Sequence, residues 1–328
     1  MASVDIVIPC YQHGHFLRDC VDSVLGQQVN DLRILIIDNA STDSSPQVAR
    51  ELAARHKRIE IVLRARNLGH HASFNEGVDW AKADYFMVLC SDDLLAPGSL
   101  ARMVSVMEQH PQTSFAYGAD VHWHEGEPFP GQSDVSPPAP WRVRDGTDFI
   151  VERCRNPEAY IAAGMVLART SAHKAAGHYR TDLPHTDDFE MLLRLARLGS
   201  VAHTPAVLGV KRMHSQNRTH DFLAERTRDL VERVAALDSF FSREGHAMAD
   251  ADRLLRLGRR SIAERAYWCG VKDLTRGRAS AIALFRLAVR LDPRVALIPP
   301  FRYLFRMDRS LLETVCGMHQ TVHPSTKS

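Results

Sequence analysis

The chain lacks any apolar run long enough to cross a bilayer. Its longest, from Ala159 to Ala168, is about half of what a spanning helix requires. Its first residues, Met1-Ala2-Ser3-Val4-Asp5, do not combine a basic stretch with an apolar one, so no secretory leader is read there. Cysteine is sparse and scattered: six in 328 residues, with no C-x-x-C pair. That excludes a disulfide scaffold and points to reduced, buried thiols in a cytoplasmic protein. Charge of one sign is missing as well. Forty-one basic residues against 39 acidic leave a net charge of +2, which argues against a nucleic-acid partner. No G-x-G-x-x-G follows the first β-rich run and no G-x-x-x-x-G-K-[ST] occurs, which excludes a Rossmann dehydrogenase and a P-loop NTPase. The seventeen histidines include the pairs His13/His15, His70/His71 and His122/His124, but none has H-E-x-x-H or zinc-finger spacing.

What is present is an ordinary globular composition, 45% hydrophobic and 24% charged, long enough for about two domains. Short β-rich runs alternate with helical stripes: strands over Val4–Pro9, Arg33–Asp38, Glu60–Leu63, Tyr85–Cys90 and Ser114–Val121, helices between them. This alternation predicts an α/β fold, a doubly wound and mostly parallel sheet covered on both faces, followed by a C-terminal helical region from Asp221 almost to Met307. Glu125–Asp145 holds five prolines and no period, and reads as a loop. Ligands of such sheets sit at the carboxyl ends of the strands.

Those ends carry acid. The second strand runs into Asp38-Asn39-Ala40-Ser41-Thr42-Asp43 and the fourth into Ser91-Asp92-Asp93. Adjacent carboxylates at the end of a buried strand are costly unless they meet something positive, and a hard divalent ion bridging to substrate phosphate fits. The simpler reading is a turn whose aspartates cap the next helix.

Together these segments resemble the inverting glycosyltransferases of family 2, which have the GT-A fold. Val7-Ile8-Pro9-Cys10-Tyr11-Gln12 is similar to an opening V-I-P-x-Y-N, and Ile37 to Asp43 to V-D-D-G-S-T-D. Asn67-Leu68-Gly69 and Asn75-Glu76-Gly77 match a paired N-x-G, and Ser91-Asp92-Asp93 stands at the D-x-D position. Thr186-Asp187-Asp188-Phe189-Glu190 with Leu193-Arg194-Leu195-Ala196 resembles x-E-D-x-D-x-x-L-R-L-A, and Val210 to His214 resembles Y-R-x-H. The resemblance divides the chain into a nucleotide-sugar half over 1–122, an acceptor-side half of the same GT-A domain over 123–218, and a basic helical region over 219–328.

It also implies roles. Pro9, Tyr11 and Asn39 would line the nucleoside base and Asp92 the ribose. Asp93 and His214 would hold Mn²⁺ or Mg²⁺ at the diphosphate, with Asn67, His70 and Arg194 on the donor side. Asp188 would be the general base, with Asp187 the adjacent alternative, in a single displacement with inversion. Where the family has Asp, this chain has Asn39, so a uridine and a thymidine diphosphate donor both stay open; the acceptor would be a hydroxyl of a glycan, lipid-linked or secondary-metabolite type. Gln12 stands for Asn and Lys211 for Tyr. Competing expectations are a nucleotidyltransferase, whose Gly- and Arg-rich first loop is not seen in Pro9 to Gly14, a non-catalytic relative, and a peptide-modifying enzyme that makes S- or N-linkages.

The net charge is unevenly spread. Residues 251–309 hold 14 basic against 5 acidic side chains, and the remainder 27 against 34. A cationic helical tail with aromatic neighbours suits an anionic bilayer surface, which predicts peripheral contact at the inner face of the membrane; packing on an acidic catalytic domain is the other reading.

Overall fold

In the computed structural model, residues 2–124, 126–127, 139–159, 161–215, 217 and 226–304 are described. Four strands lie parallel in the order β3-β2-β1-β4: β1 (Ser3–Cys10), β2 (Asp31–Asp38), β3 (Ile59–Leu63) and β4 (Tyr85–Val88). Their residues are almost uniformly apolar because helices cover both faces. In α1 (Gly14–Leu25), Phe16, Leu17, Cys20, Val21 and Val24 fall on one helical face and are buried. α2 (Ser45–Arg55) opens with Pro46 in its first turn, where a missing N–H is harmless. α3 (His70–Trp80) lies close on β1: a Cβ at Gly77 would stand 2.6 Å from Val7 Cγ1.

Beyond β4 the pairing changes. β8 (Val166–Arg169) runs antiparallel to both β4 and β6 (Thr113–His124), and β6 runs parallel to β9 (Ser200–Met213). The free edge of β9 carries β7 (Arg142–Arg144) along its first half and β5 (Leu94–Leu95) along its second, both antiparallel. The sheet is therefore mixed: its first half has the expected parallel order, and its second half is largely antiparallel. Four of the nine strands, β5, β7, β8 and β9, were not named from the sequence. β7 lies inside the stretch expected to be a loop, and β5 has two residues, too few for a period. The boundary expected at residue 122 falls within β6, so one continuous sheet joins the two halves.

α4 (Ser99–Gln109), α5 (Gly146–Arg155), α6 (Thr170–Ala176) and α7 (Asp187–Arg197) cover the sheet. The helical region follows as α8 (Arg226–Ser242), α9 (Ala251–Thr275), α10 (Ser280–Leu291) and α11 (Phe301–Leu304). It shares a core with the sheet: Leu237, Ile262 and Leu284 belong to the same buried cluster as Phe115, Phe149 and Leu193. Among the described residues no helix is long and apolar enough to cross a membrane, and the described cysteines are unpaired.

Candidate active site

The carboxyl ends of β1, β2 and β4 open into a cavity of about 1150 Å³, closed on its other sides by α3, α7 and α8. The first two ends are tied together by a side chain. Gln12 donates from Nε2 to Thr42 Oγ1 at 2.8 Å, and its Oε1 accepts from the amides of Thr42 and Asp43 at 3.2 and 3.1 Å. Both turns need left-handed backbone without glycine, with φ of 59° at Gln12 and 62° at Ala40. Such conformations are uncommon for these residue types and persist where the surroundings over-determine them. Gly14 follows because a Cβ there would lie 2.5 Å from the Ser45 amide, and its own N–H donates to Asp43 Oδ2.

Asn39 lines the cavity, and its amide makes three hydrogen bonds. Its Nδ2 donates to Asn67 Oδ1 at 2.7 Å, while its Oδ1 accepts from the Leu68 amide at 3.0 Å and Arg64 Nη1 at 3.1 Å. It thereby holds the β3–α3 loop against the end of β2. Tyr11 is 47% exposed at the cavity rim, and Pro9 forms part of the wall.

Asp92 and Asp93 stand four and five residues beyond the end of β4. Asp92 Oδ2 accepts from His214 Nε2 and Asn217 Nδ2, each at 3.2 Å, and Asp93 Oδ1 accepts from the Arg212 amide at 3.2 Å. Burial alone would raise both carboxyls. The His214 hydrogen bond and the nearby His13 and His214 charges bring Asp92 below its ordinary value, whereas the Asp92 charge adds to burial and drives Asp93 well above. Asp93 is thus a buried carboxyl short of positive charge, the environment a divalent cation satisfies. Two carboxylates with an imidazole behind them form a hard, mainly oxygen donor set that fits Mg²⁺ or Mn²⁺. Cys90 lies beside them, but burial pushes its thiol up and leaves it a poor ligand.

Across the cavity, α7 begins with Asp187 and Asp188. Asp187 Oδ2 faces His70 Nε2 at 3.4 Å and His71 Nε2 at 3.3 Å. Burial raises its carboxyl, and the two imidazoles outweigh burial and hold it well below the carboxylate range. Asp188 accepts, among the described residues, its neighbour's amide, Phe189 N at 2.6 Å, and burial together with the Asp187 charge pushes it up to about 6.

Of the residues picked from sequence, Pro9, Tyr11, Asn39, Asn67, His70, Asp92, Asp93 and Asp188 line one cavity. His214 stands behind Asp92 with its ring edge-on to His13 at 5.5 Å. Arg194 is not brought to the cavity. It is 3% exposed, with Nε 2.9 Å from Glu190 Oε2 and its other nitrogens on the carbonyls of Ala176 and His178. It clasps the α6–α7 connection, so the expected donor contact is corrected to a framework role. Sequence reading gave no site role to Arg153 of α5, Lys211 of β9 or Arg233 of α8, which bring positive charge to the cavity wall. Arg233 is steered there by buried Asp229, whose Oδ1 lies 3.0 Å from its Nε, at the i,i+4 spacing of one helix face. That spacing was the one available signal.

An open parallel half-sheet with carboxylates at its strand ends, continued by a mixed half that supplies an opposing carboxylate, is the architecture of GT-A-type sugar transferases. The model of the family described as "Glycosyl transferase family 2" matches residues 5–176, more than half of the sequence, and the chain belongs to that family. An uncharacterized protein of Mycobacterium tuberculosis (strain ATCC 25618 / H37Rv), Rv1520, is 24% identical over 253 residues, covering 75% of this chain and 66% of the relative, just under two thirds of its length. Among solved structures, TarS of S. aureus in complex with UDP-GlcNAc aligns with a TM-score of 0.55 at 12% identity, over 90% of this chain and 92% of that one. Mannosyltransferase PcManGT from Pyrobaculum calidifontis, in complex with GDP-Man and Mn²⁺, aligns with a TM-score of 0.54 at 15% identity, over 97% of this chain and 88% of that one. At such identities the likeness is one of fold.

Proposed function

We propose that the chain moves a hexosyl or deoxyhexosyl group from a UDP- or dTDP-linked donor to a hydroxyl of a glycan, lipid-linked or secondary-metabolite acceptor, with inversion. The observation that carries this reading is the convergence of Asp92 and Asp93 with Asp188 on one cavity whose wall also includes Pro9, Tyr11 and Asn39. TarS with UDP-GlcNAc is a precedent for a uridine donor in this fold, and PcManGT for a bound Mn²⁺. Tyr11 and Pro9 offer a flat surface to the base, and Asp92, held by His214 and Asn217, a fixed acceptor to the ribose hydroxyls. Asp93, with Asp92 and His214, would hold Mn²⁺ or Mg²⁺, which when bound neutralises charge on the departing diphosphate. Asp188 takes the proton of the acceptor hydroxyl as that oxygen attacks the anomeric carbon; the bond to the diphosphate breaks and its electron pair leaves with the nucleotide. Asp188 suits this better than Asp187, because Asp187 is held by two imidazoles while Asp188 has no side-chain partner among the hydrogen bonds described and an affinity for protons near neutrality.

Asp188→Asn is expected to lower transfer at least a thousandfold and leave donor affinity within about twofold, measured by product formation and by nucleotide-sugar titration. A fully active variant would sink the assignment. A peripheral membrane contact through 251–309 is part of the same proposal. It is supported by Leu297, Ile298 and Phe301, which are 84%, 72% and 56% exposed beside the exposed Arg290 and Arg294.

A further inference from the structure

His70, His71 and Asp187 have no role in the transfer beyond a donor-side contact for His70, yet their arrangement is specific. Successive residues of a helix point about 100° apart, so neighbours do not ordinarily address the same atom. Here His70 and His71 open α3 side by side. Their rings lie 3.8 Å apart between centroids and 40° from parallel, and both Nε2 atoms turn to one oxygen, Asp187 Oδ2.

The distances are longer than those of a strong, charge-assisted hydrogen bond. Imidazole and carboxylate in a charge-assisted bond approach to about 2.7–2.9 Å, whereas the two separations are 3.4 and 3.3 Å. Asp187 is 5% exposed and His71 8%. Neither His71 Nε2 nor Asp187 Oδ2 makes a hydrogen bond of acceptable geometry, an expensive state for buried polar atoms, at about 1–3 kcal/mol each. The same distances suit coordination. Ligand atoms about 2.0–2.1 Å from a tetrahedral ion stand roughly 3.4 Å from one another.

We propose that His70 Nε2, His71 Nε2 and Asp187 Oδ2 form a three-ligand site for a transition-metal ion of the zinc type, separate from the Asp92–Asp93 site. Two imidazoles and one carboxylate favour Zn²⁺, Co²⁺ or Fe²⁺ over Mg²⁺, the reverse of the oxygen-rich pair after β4. His70 and Asp187 line the cavity, so the fourth position opens toward substrate, as in zinc sites that keep one place for water or a substrate oxygen. Among the described residues, the site shares no ligand with the two other clusters of metal-binding groups, His13–Asp92–His214 and Cys90–Asp92–Asp93, both of which contain Asp92.

The last point sets the experiment. Full-length protein carrying Asp92→Asn and Asp93→Asn is stripped with a chelator and titrated with Co²⁺, following the visible absorption of tetrahedral cobalt and the bound metal by elemental analysis. One equivalent of tetrahedral Co²⁺, displaced by Zn²⁺, is expected. Adding His71→Gln, or separately Asp187→Asn, should weaken that binding at least tenfold, with circular dichroism reporting that each variant is folded. No tetrahedral cobalt in the starting variant, or binding unchanged by both further substitutions, overturns the proposal. The readout is the bound metal itself, so the result is independent of whether the chain transfers a sugar.

Discussion

At the scale of single residues, adjacent carboxyls separate into different states through their neighbours alone. Asp92 and Asp93 differ by the His214 hydrogen bond, and Asp187 and Asp188 by the two imidazoles that face the first and not the second. A general base must be unprotonated to act. With Asp188 raised to about 6, transfer should rise with pH through that value and level off above it. Initial rates between pH 5 and 8 at saturating donor and metal check this; an acid limb near the ordinary carboxylate value would remove Asp188 from the base role. Asp188 itself was legible from its place in an ordered motif. Its preference over Asp187 was not, because the histidines that occupy Asp187 come from a helix far away in sequence.

At the scale of elements, α7 carries the candidate base at its first turn and is fastened by a buried ionic network. Glu190, wholly buried, meets Arg194 and Arg180, and Arg180 reaches Glu244 at 2.6 and 2.7 Å and Ser239 at 2.8 Å. Removing one partner leaves a buried charge underpaired. Arg194→Ala should therefore lower unfolding free energy by about 3–5 kcal/mol, with nucleotide affinity of the folded fraction unchanged; urea melts and nucleotide titration measure the two. Lost affinity without lost stability would restore Arg194 to the donor side. The helices and strands of the parallel half were readable because burial imposes a pattern on them: α1 shows its stripe, and β1, β2 and β4 their apolar runs. β5 and β7 exist because β9 offers them an edge, and strands of two and three residues leave no period to read.

At the scale of the whole molecule, the uneven charge acquires a geometry. The basic region is not a detached tail: α8 and α9 enter the main core, and α8 sends Arg233 to the cavity. Its far end instead exposes Leu297, Ile298 and Phe301. Replacing these three by serine should reduce sedimentation with anionic phospholipid vesicles severalfold, without changing binding of a soluble donor. Equal sedimentation of both proteins, or none by the parent at low salt, would end the membrane proposal.

The parallel half was legible in the sequence, because a strand, its turn and the next helix are written in consecutive residues, and the turn chemistry at Pro9 to Gln12, Asp38 to Asp43 and Ser91 to Asp93 stays beside the strand that positions it. The tertiary structure alone decided which side chains meet across the cavity. His70 with Asp187, His214 with Asp92, and Arg233 with the cavity wall are pairings between distant segments, set by how the helices lie on the mixed half of the sheet. Periodicity records which face of an element is buried, and carries no record of the partner that buries it.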